Sequence, residues 1–231
     1  MKERIYSIPL TEALEENCGC ILCTLEKKLE EQAAEYFLGP SMMEPDSREI
    51  TNEKGFCRRH IGMLFDRNNR LSLALMLETH VKETEKKLAV KKDKGLFSKK
   101  SSAQLTSDDI YAVTRSCAMC DKLNSQMQSA AANLAYLWGC EKDFCRMFES
   151  SHALCLEHTA LVLSVCDNEL HGKKKDEFIK LLITMQQKEL AQLYEDLHAF
   201  TISFDYRNAG KELSQNEKES VHTAIKHLTK Y

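Results

Sequence analysis

The sequence has few of the residues that interrupt helices. Its 231 residues include only 8 Gly and 3 Pro, and two of the prolines, Pro40 and Pro45, lie close together. So few helix breakers favour long, uninterrupted helices. No run of 18 apolar residues occurs, which excludes a membrane-spanning helix on length. The expected fold class is therefore all-α, with no membrane partner.

A secretory signal is also missing from the start of the sequence. Residues 1–17 contain neither the apolar run nor the small-residue cleavage site of a signal peptide. We therefore expect a cytoplasmic protein in a reducing compartment, where ten cysteines are more typical of metal binding or catalysis than of disulfides. The formal net charge of −3 indicates no general attraction to nucleic acid.

A repeated pattern of metal-ligand residue types is what the sequence does contain. A Cys-x-x-Cys pair is followed after 33 residues by a Cys-x-x-His pair, and the same order recurs with a gap of 34 residues. The eight residues of the pattern are Cys20, Cys23, Cys57, His60, Cys117, Cys120, Cys155 and His158. Chance does not readily produce two such sets in one order, so the pattern indicates an internal duplication.

The chemistry of these residues favours two structural zinc ions per chain. Three thiolates and one imidazole form a common closed, tetrahedral shell for zinc. We expect each repeat to form its own site, with residues 20, 23, 57 and 60 in one and residues 117, 120, 155 and 158 in the other. An iron–sulfur cluster is the alternative cofactor, because cysteines with one histidine also hold clusters.

The remaining cysteines leave further alternatives open. Cys18 can replace Cys20 as a ligand, and the sequence does not decide between them. Cys140 and Cys145 lie near His152 and the second site in sequence, where they can serve a third ion or act as redox-active thiols; alternatively they, like Cys166, are buried or spare thiols. The other histidines (His80, His171, His198, His222 and His227) have no partner at ligand spacing, so we expect them to face solvent or to cap helices.

The domain organisation follows the repeat. We predict a first helical-hairpin unit over residues 1–90, a basic linker over 91–108, a second hairpin unit over 109–205, and a C-terminal turn and helix over 206–231, all packed as one domain. Ser214 and Glu217 form a capping-box pattern for the last helix. Its Val221, Ala224, Ile225 and Leu228 share one face at helical spacing.

Four stretches of the chain resemble a family of uncharacterised bacterial proteins, mostly from Firmicutes, known as a domain of unknown function. They are "ILC" followed by an acidic helix, "GFCRRH", the second "CAMC…CLEH", and the late "FDYRNAG…EKES". The resemblance implies a cytoplasmic bacterial protein with duplicated metal-ligand pairs, and it implies no activity, substrate or partner. Members are sometimes labelled as transporter substrate-binding proteins.

Two functional hypotheses follow. The first is a non-enzymatic, zinc-binding helical protein that acts as an interaction or regulatory module with a protein partner. It rests on the closed ligand shells and on the lack of any catalytic motif, so no catalytic residue is predicted. The second is a thiol-redox or iron–sulfur protein that senses oxidants or transfers electrons. A nucleic-acid role ranks third, because it rests only on the lysine-rich segment 82–100. The oligomeric state is left open.

Overall fold

A computed structural model of the chain describes residues 6–16, 19–88, 101–208 and 212–230, and all regular structure in these ranges is helical. The α-helices are α1 (Ser7–Glu16), α2 (Ile21–Leu38), α3 (Pro45–Lys54), α4 (Arg58–Phe65), α5 (Arg70–Lys87), α6 (Ser102–Thr114), α7 (Ala118–Cys140), α8 (Lys142–Ser150), α9 (Leu156–Val165), α10 (Gly172–Ile202) and α11 (Gln215–Thr229). Short 3₁₀ turns occupy Pro40–Met43, Cys166–Asn168 and Tyr206–Asn208. The all-α prediction is confirmed.

Helix boundaries agree with the local sequence signals. The predicted capping box is present at α11, where Ser214 accepts from the Glu217 amide and the Glu217 carboxylate accepts from the Ser214 amide. Helix α6 begins with a second capping box, formed by Ser101 and Gln104. Each box satisfies amides that a helix N-terminus otherwise leaves unpaired. Across the described ranges, every helix falls short of the combination of length and apolar content that crossing a membrane requires.

The chain divides into two compact units. The first comprises Met1–Lys27 and Gln126–Tyr231, and the second comprises Lys28–Ser125. The tandem boundaries predicted from the sequence follow the order of the repeats along the chain and stay a prediction. Within the predicted linker, residues 102–108 belong to α6, and residues 91–100 lie outside the described part of the chain.

Aromatic residues form much of the core of the first unit. Phe148 and Phe178 are fully buried, and the Trp138 ring lies 4.8 Å from the Phe178 ring between centroids. Leu134 of α7 and Val162 of α9 are also fully buried. Because α9 contributes to this core, its N-terminus is held in a fixed position against the rest of the unit.

The core of the second unit explains the "GFC" sequence that precedes α4. Gly55 ends α3 with a φ of 58°, and a side chain on it would collide with the imidazole of His80. A glycine meets both requirements, since it adopts positive φ at no steric cost. Phe56 then packs edge-on against Phe37 of α2, with the ring centroids 5.3 Å apart. These contacts position Cys57, the next residue.

Helix α11 packs in a different orientation from the one that its apolar pattern suggests. Its inward positions are Ser220, Ala224 and His227. The predicted apolar face is therefore only partly buried, and three of its members (Val221, Ile225 and Leu228) are 44–53% exposed. The expectation that His227 faces solvent or caps a helix is also wrong, because the residue is buried and hydrogen-bonds to the Gln186 side chain.

A polar network accounts for this orientation. The buried Gln186 side chain accepts a hydrogen bond from His227 Nε2 at 2.9 Å, and its amide donates to the Leu154 carbonyl and the Thr159 hydroxyl. Turning the apolar stripe inward would leave these buried groups unpaired, at a cost of about 1–3 kcal/mol each.

Candidate metal centres

All four ligand pairs lie at helix N-termini. Each Cys-x-x-Cys begins at the residue before a helix, α2 or α7, and its second cysteine lies in the first turn. Each Cys-x-x-His begins at the N-cap of α4 or α9, and its histidine lies three residues further on. N-cap and third-residue side chains meet over the first turn, as they do in a capping box. A helix N-terminus also stabilises thiolate anions through its dipole.

The first cluster joins the N-termini of α2 and α9 in the first unit. It consists of Cys20, Cys23, Cys155 and His158, whose ligand atoms all lie within 4.8 Å of one another. The Nδ1 atom of His158 lies 3.5, 3.4 and 3.3 Å from the sulfurs of Cys20, Cys23 and Cys155 respectively. The sulfurs of Cys23 and Cys155 are 3.6 Å apart. Cys155 and His158 are buried, whereas the other two residues are partly accessible.

The second cluster joins the N-termini of α4 and α7 in the second unit. It consists of Cys57, His60, Cys117 and Cys120, again within 4.8 Å of one another. The Nδ1 atom of His60 lies 3.4 Å from the Cys57 sulfur, 3.2 Å from that of Cys117 and 3.3 Å from that of Cys120. The Ala118 amide donates to the Gly55 carbonyl at 2.9 Å, which ties the two ligand-bearing loops together.

The structure brings the eight predicted residues into two groups of four, but the pairing expected within each repeat is wrong. The Cys-x-x-Cys pair of the first repeat lies beside the Cys-x-x-His pair of the second repeat. The Cys-x-x-His pair of the first repeat lies beside the Cys-x-x-Cys pair of the second. The physical reason is that helix packing, not chain spacing, decides which N-termini meet. The start of α2 packs in the same unit as α9, and α4 packs in the same unit as the start of α7.

The spacing of the ligand atoms fits a tetrahedral zinc ion. With Zn–S near ~2.3 Å and Zn–N near ~2.0 Å, two sulfurs on a tetrahedron are about 3.8 Å apart, and a sulfur and a nitrogen are about 3.5 Å apart. The Cys23 and Cys155 sulfurs are 3.6 Å apart and those of Cys57 and Cys120 are 3.8 Å apart, and the S···N distances lie between 3.2 and 3.5 Å. Each cluster therefore has room for one metal ion with four protein ligands, which leaves no open position for substrate or water.

Two buried glutamates, which the sequence reasoning missed, support the histidines. Both belong to α2, four residues apart. The Nε2 atom of His60 lies 3.0 Å from the Glu30 carboxylate, and that of His158 lies 3.3 Å from the Glu26 carboxylate. A carboxylate on the far nitrogen fixes the tautomer and orients the ring so that Nδ1 faces the metal. The sequence feature that could have identified these glutamates is their position on the apolar face of the helix. Glu26 and Glu30 share that face with Leu22, Leu29 and Ala33.

Each glutamate also contacts a cation on its other side. An Arg59 guanidinium nitrogen lies 2.7 Å from the Glu30 carboxylate, and the Lys230 ammonium lies 2.7 Å from that of Glu26. Three thiolates and a zinc ion leave a site with a net charge of about −1, and a buried carboxylate beside it needs compensation. The two cations supply that compensation, so the clusters share one arrangement of thiols, histidine, carboxylate and cation.

The thiols within each cluster shift one another's pKa values. Hydrogen bonding to Cys155 and Cys20 raises the pKa of Cys23, whereas hydrogen bonding to Cys20 and Cys23 lowers the pKa of Cys155. In the second cluster, burial and the neighbouring Cys117 raise the pKa of Cys120. For Cys57, burial raises the pKa, but the His60 amide and the neighbouring thiols outweigh it and lower the pKa. Crowded thiols of this kind resist full ionisation until a cation neutralises them.

The other candidate residues that the structure describes do not join these clusters. Cys18 lies outside the described part of the chain. Cys145 contacts the Glu149 carboxylate at 3.3 Å, and the sulfur of the buried Cys166 contacts the Leu163 carbonyl. Within the described ranges, the groups of three or more candidate ligands are the two clusters above, and neither includes Cys140, Cys145 or His152.

The fold and the two clusters define a class: an all-helical protein with two buried Cys3His sites able to hold metal ions. The particular family is given by a family model that matches residues 1–231 and is described as "Family of unknown function (DUF6062)". The chain belongs to this family. No curated protein and no solved structure matches it.

Proposed function

We propose that the protein binds two zinc ions, one in each cluster, and that both ions are structural. The observation that carries this proposal is the matched ligand geometry of the two clusters, in which three sulfurs and one Nδ1 lie within 4.8 Å of one another and a carboxylate contacts the far nitrogen of the histidine. Thiolates and imidazole are the ligands that zinc prefers, and a complete protein shell is typical of structural rather than catalytic zinc.

The ions would contribute a large share of the folding free energy. Structural zinc binding in peptides has an apparent free energy of about 10–16 kcal/mol at neutral pH, whereas a whole domain is stable by only about 5–15 kcal/mol. Each ion also joins two helix N-termini that are far apart in the chain. Without the ion, no metal–ligand bond joins these helix N-termini. The metal is therefore a determinant of the fold.

The cellular role that best fits these sites is a non-enzymatic interaction or regulatory module in the cytoplasm. Four protein ligands at each ion leave no position at which a substrate can be activated. The residues close to the clusters support the ligands: Glu26 and Glu30 orient the histidines, and Lys230 and Arg59 balance their charge. What remains is a rigid helical scaffold that presents surfaces to a protein partner.

Metal content tests the proposal directly. The full chain is purified anaerobically without chelator, and its metals are counted by elemental mass spectrometry. We expect two zinc ions per chain, and one in Cys57→Ser and in Cys155→Ser, because each substitution removes one ligand from one cluster. Cys145→Ser is the matched control and keeps both ions. Protein that binds no metal would refute the proposal.

A redox role is the second candidate, favoured by the partial exposure of one thiol pair in each cluster. Cys20 and Cys23 in the first cluster, and Cys57 and Cys120 in the second, are accessible enough for peroxide to reach. Two thiolates would give up two electrons to form a disulfide, peroxide would be reduced to water with two protons taken up, and the zinc ion would leave.

Mild peroxide separates the two roles. Prompt, stoichiometric zinc release that thiol reductants reverse supports a sensor, whereas retention of zinc supports the structural role. If anaerobically purified protein contains iron and acid-labile sulfide, the sites hold an iron–sulfur cluster in place of zinc, and electron transfer becomes the leading candidate function.

A further inference from the structure

Helix α11 contacts the support of the first cluster through the residue that ends it. Lys230 is the C-cap of α11, and its ammonium lies 2.7 Å from the Oε1 atom of Glu26. The Oε2 atom of the same carboxylate lies 3.3 Å from the Nε2 atom of His158. The side chains of Glu26 and Lys230 are only 6% and 24% exposed. One buried carboxylate therefore joins α11 to a metal ligand.

The backbone at Lys230 adopts an unusual conformation where it makes this contact. Its φ is 67°, and it alone among the described non-glycine residues has a positive φ. Such a conformation is costly for a residue with a side chain, and it persists only where the surrounding structure holds it. The ion pair with Glu26 is one of the contacts that hold it, so the end of α11 is fitted to the first cluster.

A second path joins α11 to the backbone around Cys155. The Nε2 atom of His227 donates to the Gln186 side-chain oxygen. The Gln186 amide donates to the carbonyl of Leu154, the residue before the ligand, and to the Thr159 hydroxyl. That hydroxyl donates in turn to the Cys155 carbonyl at 3.0 Å. The network therefore fixes the backbone on both sides of this ligand.

Apolar burial contributes little to the docking of α11. The helix packs against α9 and α10, and of its buried residues Ser220, Ala224 and His227 only the alanine is apolar. A 15-residue helix is marginal in water without tertiary packing. Docking therefore depends on polar contacts, and these lead to Glu26 and to the Gln186 network beside the first cluster.

The second cluster takes the corresponding cation from its own ligand pair. Arg59 lies between the two ligands of the first Cys-x-x-His and contacts Glu30 directly. The equivalent position of the second Cys-x-x-His is Glu157, an acidic residue that cannot compensate a carboxylate. The first cluster instead uses a cation from α11, a separate helix at the other end of the unit's sequence. The two clusters therefore differ in what their supports connect to.

We propose that zinc binding at the first cluster and the docking of α11 are coupled, with Lys230 as a positioning residue that acts through Glu26. This inference rests on the proposed zinc ion of that cluster. Docked α11 holds the carboxylate that orients the ring of His158, and the bound ion holds that ring where the carboxylate and Lys230 meet it. Each event strengthens the other by the same factor, as thermodynamic linkage requires. The second cluster is not coupled to α11.

Zinc affinity tests one direction of the coupling in the full chain. Chelator competition gives two binding steps, and the step that Cys155→Ser abolishes belongs to the first cluster. Lys230→Met keeps the length of the side chain without its charge and should weaken that step about 10-fold, the lower end of the range for partners of metal ligands. Lys230→Arg keeps the charge and should retain most of the affinity. Lys226→Met, at an exposed position of α11, is the matched control.

Hydrogen exchange of the α11 amides tests the other direction. In the wild-type chain, removal of the first ion should speed their exchange by the same factor of about 10. Cys57→Ser, which empties the second cluster, should leave them protected. In Lys230→Met, removal of the first ion should change α11 exchange much less than in the wild type, which a general loss of stability does not produce. The α10 amides report whether the unit stays folded, and the affinity assay decides the proposal if they open as well.

Three results would overturn the proposal. They are an unchanged first step in Lys230→Met, an equal loss in Lys226→Met, and α11 protection that follows the second ion. Each of them leaves two zinc ions per chain and the proposed function intact. A chain that binds no zinc would instead refute the proposed function, and this inference with it.

Discussion

The glutamates of α2 give the most informative single substitution. Glu30→Gln keeps the size of the side chain and an oxygen that can accept from His60 Nε2, but it removes the carboxylate charge. Glu30 is only 6% exposed, and its carboxylate lies 3.0 Å from Nε2. We expect zinc affinity at the second cluster to fall by about 10–100-fold, the usual effect of losing such a partner. That range corresponds to about 1.4–2.7 kcal/mol.

The assay is competition for zinc with a chromophoric chelator of known affinity, resolved into two binding steps. Only the step of the second cluster should weaken in Glu30→Gln, and only that of the first cluster in Glu26→Gln. Glu31→Gln is the matched control on the same helix, because Glu31 contacts Arg67 at the surface and no ligand. If Glu30→Gln leaves the affinity unchanged, or if Glu31→Gln weakens it equally, the reasoning about the histidine support is refuted.

Three further predictions concern pH, metal removal and the α11 network. Zinc affinity should rise with pH, by up to tenfold per pH unit for each proton displaced. The reason is that the pKa values of Cys23 and Cys120 are raised, so these thiols are protonated at neutral pH and must ionise to bind the ion. Chelator competition between pH 6 and 8 measures this slope, and an affinity that does not change with pH would contradict the prediction. Chelation of both ions should reduce the helical circular dichroism and remove the cooperative melting transition; an unchanged melt would mean that the clusters do not hold the fold. Gln186→Leu should lower the free energy of unfolding of the first unit by about 1–3 kcal/mol in chemical denaturation, because it leaves His227 and the Leu154 carbonyl without their buried partner. Gln187→Leu, at an exposed neighbouring position, should leave that free energy almost unchanged.

The sequence was sufficient to predict the fold class and the residues of the clusters, because both depend on local pattern. Scarce Gly and Pro indicate helices, and Cys-x-x-Cys with Cys-x-x-His indicates ligand pairs whatever lies between them. Which pairs meet depends on helix packing. Gaps of 33 and 34 residues are long enough for either pairing, so spacing could not distinguish Cys57 from Cys155 as the partner of Cys20.

The two other misses have different physical causes. Glu26 and Glu30 carried a readable signal as charged residues at apolar helix positions, although no role was predicted for them. The orientation of α11 carried no such signal, because it depends on a hydrogen bond between Gln186 and His227, which are 41 residues apart. A helix pattern predicts which residues share a face, and buried polar partners decide where that face points.

The most direct test of the account is to identify which pairs share an ion. Two double variants, Cys20→Ser with Cys155→Ser and Cys20→Ser with Cys57→Ser, are compared by native mass spectrometry for zinc per chain. The structure predicts one zinc in the first variant, because both substitutions fall in the first cluster, and none in the second variant, because they fall in different clusters. The reverse result, with one zinc retained only by the second variant, would contradict the exchanged pairing and support a separate site in each repeat.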